Sequence, residues 1–142
     1  MKSIIHLAVL LAFVSPLFAQ DLKTKNVPAH VQDALRKKYP EAVKVSWEKE
    51  KGNYEANWGG KSGEDHSAQF TPTGDFIEIV NAVRPEELPA PIGAYIKEHY
   101  RGVRIKEAGR VTNAKGQTSY EVEVHGKDIL FDGKGRFVRE EK

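Results

Sequence analysis

Hydrophobic positions along this chain follow two periods in turn, and the whole series of periods occurs twice. After a polar lead-in at Gln20 to Asn26, Val27-Pro28 opens a stretch in which Val31, Ala34, Leu35 and Tyr39 share one helical face. Pro28 suits the first helical turn and Pro40 stops the helix. Val43, Val45 and Trp47 then alternate with Lys44, Ser46 and Glu48, the period of a half-buried strand. A hairpin turn at Lys51-Gly52-Asn53 leads into Tyr54, Ala56 and Trp58, which alternate with Glu55 and Asn57, so the sheet is antiparallel. Gly59 to Asp65 reads as a loop. His66, Ala68 and Phe70 alternate again until Pro72-Thr73-Gly74-Asp75 turns the chain into a strand from Phe76 to Ala82.

A Pro-rich acidic joint, Arg84 to Pro91, precedes the second round. There the pattern predicts a helix over Ile92 to Tyr100, a strand over Val103 to Val111, a turn around Asn113 to Gly116 and a strand over Tyr120 to His125. A turn at Gly126-Lys127 and a last hairpin at Asp132-Gly133-Lys134-Gly135 complete it. Val27-Pro28-Ala29-His30-Val31 thus returns about 61 positions later as Leu88-Pro89-Ala90-Pro91-Ile92, and Phe70-Thr71-Pro72-Thr73-Gly74-Asp75-Phe76 returns as Phe131-Asp132-Gly133-Lys134-Gly135-Arg136-Phe137. What is kept is hydrophobic, turn-forming or helix-starting, the mark of a repeated scaffold; a duplicated active site would keep polar residues. Tyr39 to Tyr54 spans 15 positions and Tyr100 to Tyr120 spans 20, whereas Tyr54 to Phe70 spans 16 and Tyr120 to Phe131 spans 11. Length has moved between hairpin loops, where such change is tolerated.

The fold class that follows is α+β: two tandem α-β-β-β-β units forming one antiparallel sheet with the helices on one face. Residues 20–142 are expected to make a single domain of two pseudo-repeats, 27–83 and 88–142, sharing one core. The other face should be left to solvent or a partner. By alternation it carries Lys44, Glu48, Glu55, Asn57, Gln69, Arg104, Lys106, Glu121, Glu123 and Leu130, together with Ser46 and Ser67, and is strongly polar.

Composition adds the address. Lys2, the apolar run Ile4 to Val14, the break at Ser15-Pro16 and the small Ala19 follow the plan of an export signal, residues 1–19, cleaved near Ala19. The run is too short to span a bilayer, which takes roughly 20 residues. The absence of cysteine excludes disulfides, thiol catalysis and a lipid-attachment cysteine, so a periplasmic or secreted protein held by its core is expected. Setting aside Lys2 leaves 21 basic against 20 acidic residues, interspersed as in Lys49-Glu50-Lys51, which argues against a nucleic-acid surface.

Candidate chemistry is thin. Gly60-Lys61-Ser62 resembles the end of a phosphate loop, but Glu55 stands where that motif needs glycine and a strand follows where it needs a helix. Asp132-Gly133-Lys134-Gly135 is without the further ligands of a calcium loop, ending in a bidentate Glu. The histidines His30, His66, His99 and His125 have no spacing suited to a shared zinc, and His66, on the core side, reads as a tucked, hydrogen-bonded residue. Glu86-Glu87 and Glu140-Glu141 lie in a linker and a tail, with nothing to raise a pKa. Trp47, Tyr54 and Trp58 fall on the inward side as core. No metal, cofactor or catalytic residue is assigned.

The tandem Pro-Ala helices ending in Tyr39 and Tyr100, the strands Tyr54-Glu55-Ala56-Asn57 and Tyr120-Glu121-Val122-Glu123, and the Phe-x-x-x-Gly-x-Phe hairpins together resemble the PepSY-like family of small exported bacterial proteins, described as beta-lactamase-inhibitor-like. The resemblance covers residues 27–142. It implies two α/β units sharing a sheet, with no known catalytic activity. In the inhibitors this fold resembles, the open sheet face and its hairpin loops clasp an enzyme. The expected function is a non-catalytic exported module that binds a protein or peptide through that face, inhibition being one form of it. The alternative is an envelope protein binding a small molecule or ion in a pocket between helices and sheet lined by Trp47, Trp58 and His66.

Overall fold

The computed structural model describes residues 20–141. The export signal expected at residues 1–19 lies outside the described residues. The chain runs β1 (Gln20–Leu22), a 3-10 turn (Thr24–Asn26), α1 (Ala29–Lys38), β2 (Ser46–Glu50), β3 (Asn53–Trp58), β4 (His66–Phe70) and β5 (Phe76–Ala82). A second 3-10 turn (Pro85–Glu87), α2 (Ala90–His99), β6 (Ala108–Asn113), β7 (Thr118–Val124), β8 (Lys127–Asp132) and β9 (Phe137–Glu141) follow. Every strand pairs antiparallel with the next, so one nine-stranded sheet reads β1 to β9 in sequence order. No described helix is long and apolar enough to cross a membrane.

The repeat is visible in backbone angles. Each helix starts after a proline, Pro28 at φ −54 and Pro89 at φ −50, and each is ended by a tyrosine, Tyr39 at φ −130, ψ 72 and Tyr100 at φ −129, ψ 74. Basic residues fill the last turns, Arg36, Lys37 and Lys38 in α1 and Lys97 and His99 in α2, where the helix dipole favours them. The register slips once in each unit, between Gln69 and Phe70 and between Leu130 and Phe131, the irregularity that lets each phenylalanine face its partner, Phe76 or Phe137. Gly135, at φ 80, lies against α2: a Cβ there would sit 3.2 Å from Ile92 Cγ1.

Both helices cover the same face. Val31 and Leu35 of α1 bury against Trp47, Tyr54, Ala56, Trp58, Ala68, Phe70 and Ile79. Ile92 and Ile96 of α2 bury against Ala108, Val122, Val124, Ile129 and Phe131. These are two clusters, where the sequence suggests one shared core. Strands spaced about 4.8 Å apart make the sheet far wider than one helix, so each helix seals its own strands.

The polar lead-in at Gln20 to Asn26 is ordered as β1 and a 3-10 turn, with Leu22 paired to Trp47 and packed on the first cluster. Its equivalent in the second unit is the end of β5, so β5 closes the first unit and opens the second. Two predicted strands begin late. Lys44 sits in a bend at φ 52 before β2, and Arg104 and Lys106 lie in an irregular stretch before β6. At Lys44 and Arg104 the neighbouring strand has already turned away. β3 ends at Trp58, next to Gly59 and Gly60 with φ 85 and 67, and β7 turns at His125-Gly126 with φ 54 and 73, one residue earlier than read. Carried on, the register would set Lys44 against Gly59 and Arg104 against Gly126, past the ends of β3 and β7, and Lys106 against Val124, the last residue of β7.

Candidate functional site

The face that no helix covers is also not the flat, solvated surface expected of it. Its residues follow from the register in rows across the sheet. One row runs Glu48, Glu55, Gln69 and Glu78; the next runs Asn57, Ser67, Val80 and Val111; a third runs Gly109, Glu121, Leu130 and Arg139. Glu55, Asn57, Gln69, Glu78, Val80, Val111, Glu121 and Leu130 are all buried, Glu78 and Glu121 at 1% exposure. The sheet, twisted as nine-stranded sheets are, therefore curls so that this face is concave and shields its own centre.

Within the first unit the buried polar groups answer one another. Gln69 Nε2 donates to Glu55 Oε2 at 3.0 Å, and Ser67 Oγ donates to Asn57 Oδ1 at 2.5 Å. Burial raises the Glu55 pKa, and the hydrogen bonds from Gln69, Ser67 and Asn57 oppose that rise. Glu48, half-buried and cross-strand to Glu55, is raised by burial and then by Glu55, Asp21 and Glu64.

The second unit repeats Tyr54-Glu55 as Tyr120-Glu121 but changes the surroundings. Opposite Glu55 stands Gln69; opposite Glu121 stands Leu130. The next pair out, Asn57 with Ser67, becomes Glu123 with Asp128. Glu48 becomes Gly109, whose Cβ, if present, would lie 3.0 Å from Glu121 Oε1 and 2.5 Å from Val80 Cγ1. Both carboxyl oxygens of Glu121 are buried without a hydrogen-bond partner. Burial drives its pKa well above the usual carboxylate range, reinforced by Asp128, Glu78, Glu55 and Glu141. Asp128 is pushed up to about 6 by burial and by Glu123, Glu141 and Glu107. Glu123 is raised by burial and by its hydrogen bond with Glu107.

The structure therefore brings Glu48, Glu55, Asn57, Gln69, Glu121, Glu123 and Leu130 onto one concave surface, and leaves Lys44, Arg104 and Lys106 outside the paired strands. Arg104 and Lys106 meet Glu123 instead at the sheet's end, in a cleft of about 450 Å³ shared with Glu107 and His125. Glu78, Val80, Val111 and Asp128 also belong to the concave face, although the sequence pattern assigns no face to them. A lone Glu78 between Ile77 and Ile79 was the available signal.

The pocket expected between helices and sheet takes another form. Trp47 and Trp58 are 3% and 4% exposed and packed inside the first cluster. His66 is tied to Asn81 Oδ1 through Nδ1 at 2.7 Å and lies 5.4 Å from the Trp58 ring. Among the described residues no three His, Asp or Glu side chains are grouped to hold a metal ion.

This architecture defines an α+β protein built from two helix-and-sheet repeats on a curled antiparallel sheet. The chain belongs to the family described as "Putative beta-lactamase-inhibitor-like, PepSY-like", whose model matches residues 18–59 and 59–139. Solved structures share the fold. A "putative periplasmic" protein from Bacteroides eggerthii is 24% identical, with 81% of this chain and 88% of that one covered and a TM-score of 0.66. A DUF2874 family protein from Bacteroides uniformis is 26% identical, with 80% and 87% covered and a TM-score of 0.66. A BLIP-like protein from Bacteroides fragilis is 21% identical, with 80% and 84% covered and a TM-score of 0.58. No curated protein matches the chain.

Proposed function

We propose that this chain is an exported, non-catalytic binding module whose concave sheet face grips a protein or peptide partner, inhibition of an enzyme being one form of that grip. The observation that carries the reading is the concave face itself. It is free of helices, and it presents carboxylates and amides from successive strands around the buried Val80, Val111 and Leu130. The buried centre mixes these with Glu55, Gln69, Glu78 and Glu121, and the half-buried Glu48, Glu123 and Asp128 at its rim are within reach of a partner. The family description and the BLIP-like relative support inhibition as the form. Export is supported by the leader pattern at residues 1–19 and by the periplasmic description of a solved relative.

The test is charge reversal on the concave rim. Glu48→Lys with Asp128→Lys should abolish capture of the native partner from an envelope fraction. Lys37→Glu with Lys97→Glu, on the exposed backs of the helices, should leave capture intact. Thermal melts of both variants establish that each is folded. Undiminished capture by the rim variant would sink the proposal.

A further inference from the structure

The two units hold a glutamate at the same place and finish its surroundings differently. Glu55 is given a donor by Gln69 at 3.0 Å. Glu121, equally deep, is given Leu130, and no side chain of the described residues donates to either of its oxygens. A buried acceptor without a donor is costly, and the cost is relieved when a partner brings one. Beside it stands Gly109 where the first unit has Glu48, and the room a side chain would take there is filled by Val80 and by Glu121 itself. Around it stand Asp128, Glu78, Glu55 and Glu141, and the basic residue of its row, Arg139, already pairs with Glu141 at 2.6 Å, while Lys106 faces Glu123 at the end of the sheet.

We propose that the second-unit half of the concave face is a receptor for a cationic side chain, arginine or lysine, carried on an extended segment of the partner and laid against Glu121 and Asp128. This rests on the concave-face reading above and names the chemistry of the partner. Charge complementarity commits it to a basic segment. The carboxylates are spread along strands instead of converging on a point, so they suit a chain with spaced cationic side chains; a single metal ion needs a grouping that they do not form. A guanidinium has donors enough to satisfy Glu121 while its neighbour Asp128 holds the remaining charge.

The probe is a fluorescein-labelled peptide of three arginines alternating with glycine, compared with the same peptide carrying serine, by fluorescence anisotropy at about 0.15 M salt, where fields beyond about 8 Å are screened. The arginine peptide should bind and the serine peptide should not. Glu121→Gln with Asp128→Asn should weaken binding by roughly thirtyfold, the loss expected when one partner of a buried charge pair is removed. Asp33→Asn with Glu98→Gln removes the same formal charge from the helix side and should change nothing. Equal losses in the two double variants, or no binding by the unaltered protein, would overturn the proposal. Should the Glu121 variant fail to fold, Leu130→Gln supplies an internal donor and should weaken the same peptide; an unchanged affinity would count against insertion at Glu121. Random heptapeptides selected on the unaltered protein separate this proposal from the one it rests on. Neutral or acidic binders lost on Glu48→Lys with Asp128→Lys would refute the cationic partner and keep the concave face. Binders indifferent to that pair would refute both. A dimer in sedimentation that Glu121→Gln with Asp128→Asn dissolves would make the occupant a second copy of this chain, against the proposal.

Discussion

On the helix side of the sheet the two units are near copies, and on the concave side they are not. Pro28 and Pro89, Tyr39 and Tyr100, Phe70 and Phe131 occupy the same places with the same backbone. Across the sheet, Gln69 has become Leu130, Asn57 has become Glu123, Ser67 has become Asp128 and Glu48 has become Gly109. Packing constrains the first set, because an interior at crystal-like density registers the loss of a single methylene. The second set is free of that constraint. Glu55 in the first unit has a donor in Gln69 and Glu121 in the second has Leu130 in its place, which is the difference the proposed partner would answer.

If the helix sides are true equivalents, emptying them should hurt equally. Phe70 and Phe131 are 1% and 0% exposed, and each meets its unit's second phenylalanine ring, at 5.8 Å and 6.4 Å. Phe70→Ala and Phe131→Ala should each cost about 3–5 kcal/mol in chemical denaturation. A difference between them larger than about 2 kcal/mol would break the equivalence.

The concave sides should respond unequally. Gln69→Leu turns the first site into a likeness of the second by taking the donor from Glu55. It should cost about 1–3 kcal/mol, the penalty for stranding a buried acceptor, and should raise the Glu55 pKa in a carboxyl NMR titration. A neutral outcome in both measurements would mean that the hydrogen bond at 3.0 Å holds nothing.

The acids of the second unit also set a pH dependence. Asp128 is raised from 3.8 to about 6, so between those values the folded protein holds a proton that the unfolded chain has released. Stability therefore falls as pH rises through that window, and Glu121, raised well above 4.5 by burial with Asp128, Glu78, Glu55 and Glu141 around it, carries the fall higher. Asp128 is partly solvated, so after screening its share is about 1 kcal/mol. Melts from pH 4 to pH 7 should show the decline, and Asp128→Asn should flatten it; a protein that gains stability over that range contradicts the sign.

The asymmetry was only half legible in the sequence. Alternation at Tyr54-Glu55-Ala56-Asn57 and Tyr120-Glu121-Val122-Glu123 assigns both glutamates to the face away from the helices, and the register agrees. Alternation does not report curvature, which depends on twist accumulated over nine strands, so a face read as solvated proved buried at its centre. Nor does it report where a strand loses its neighbour. Lys44 continues the period of β2 past the end of β3, whereas Ile105 and Ala108 both pack on the second cluster, so the alternation breaks between them and Arg104 and Lys106 do not extend β6. β1 was hidden for the opposite reason. Gln20-Asp21-Leu22 has too few apolar positions to show a period and is a strand because β2 offers it an edge.

The smallest expected effect bears most directly on the comparison. Leu130→Gln reverses Gln69→Leu by installing across from Glu121 the amide that Glu55 already has. Leu130 is 6% exposed, so the substitution forfeits buried apolar area while giving Glu121 a donor. The two effects oppose each other, and a net change within about 1 kcal/mol is expected. The informative readout is the ionisation of Glu121, because an amide donor favours its charged form and should lower its pKa whatever happens to stability. A Glu121 titration unmoved by Leu130→Gln would mean that the two glutamates differ through the depth of their burial and the surrounding acids, and that exchanging Gln69 for Leu130 between the units is not what sets them apart.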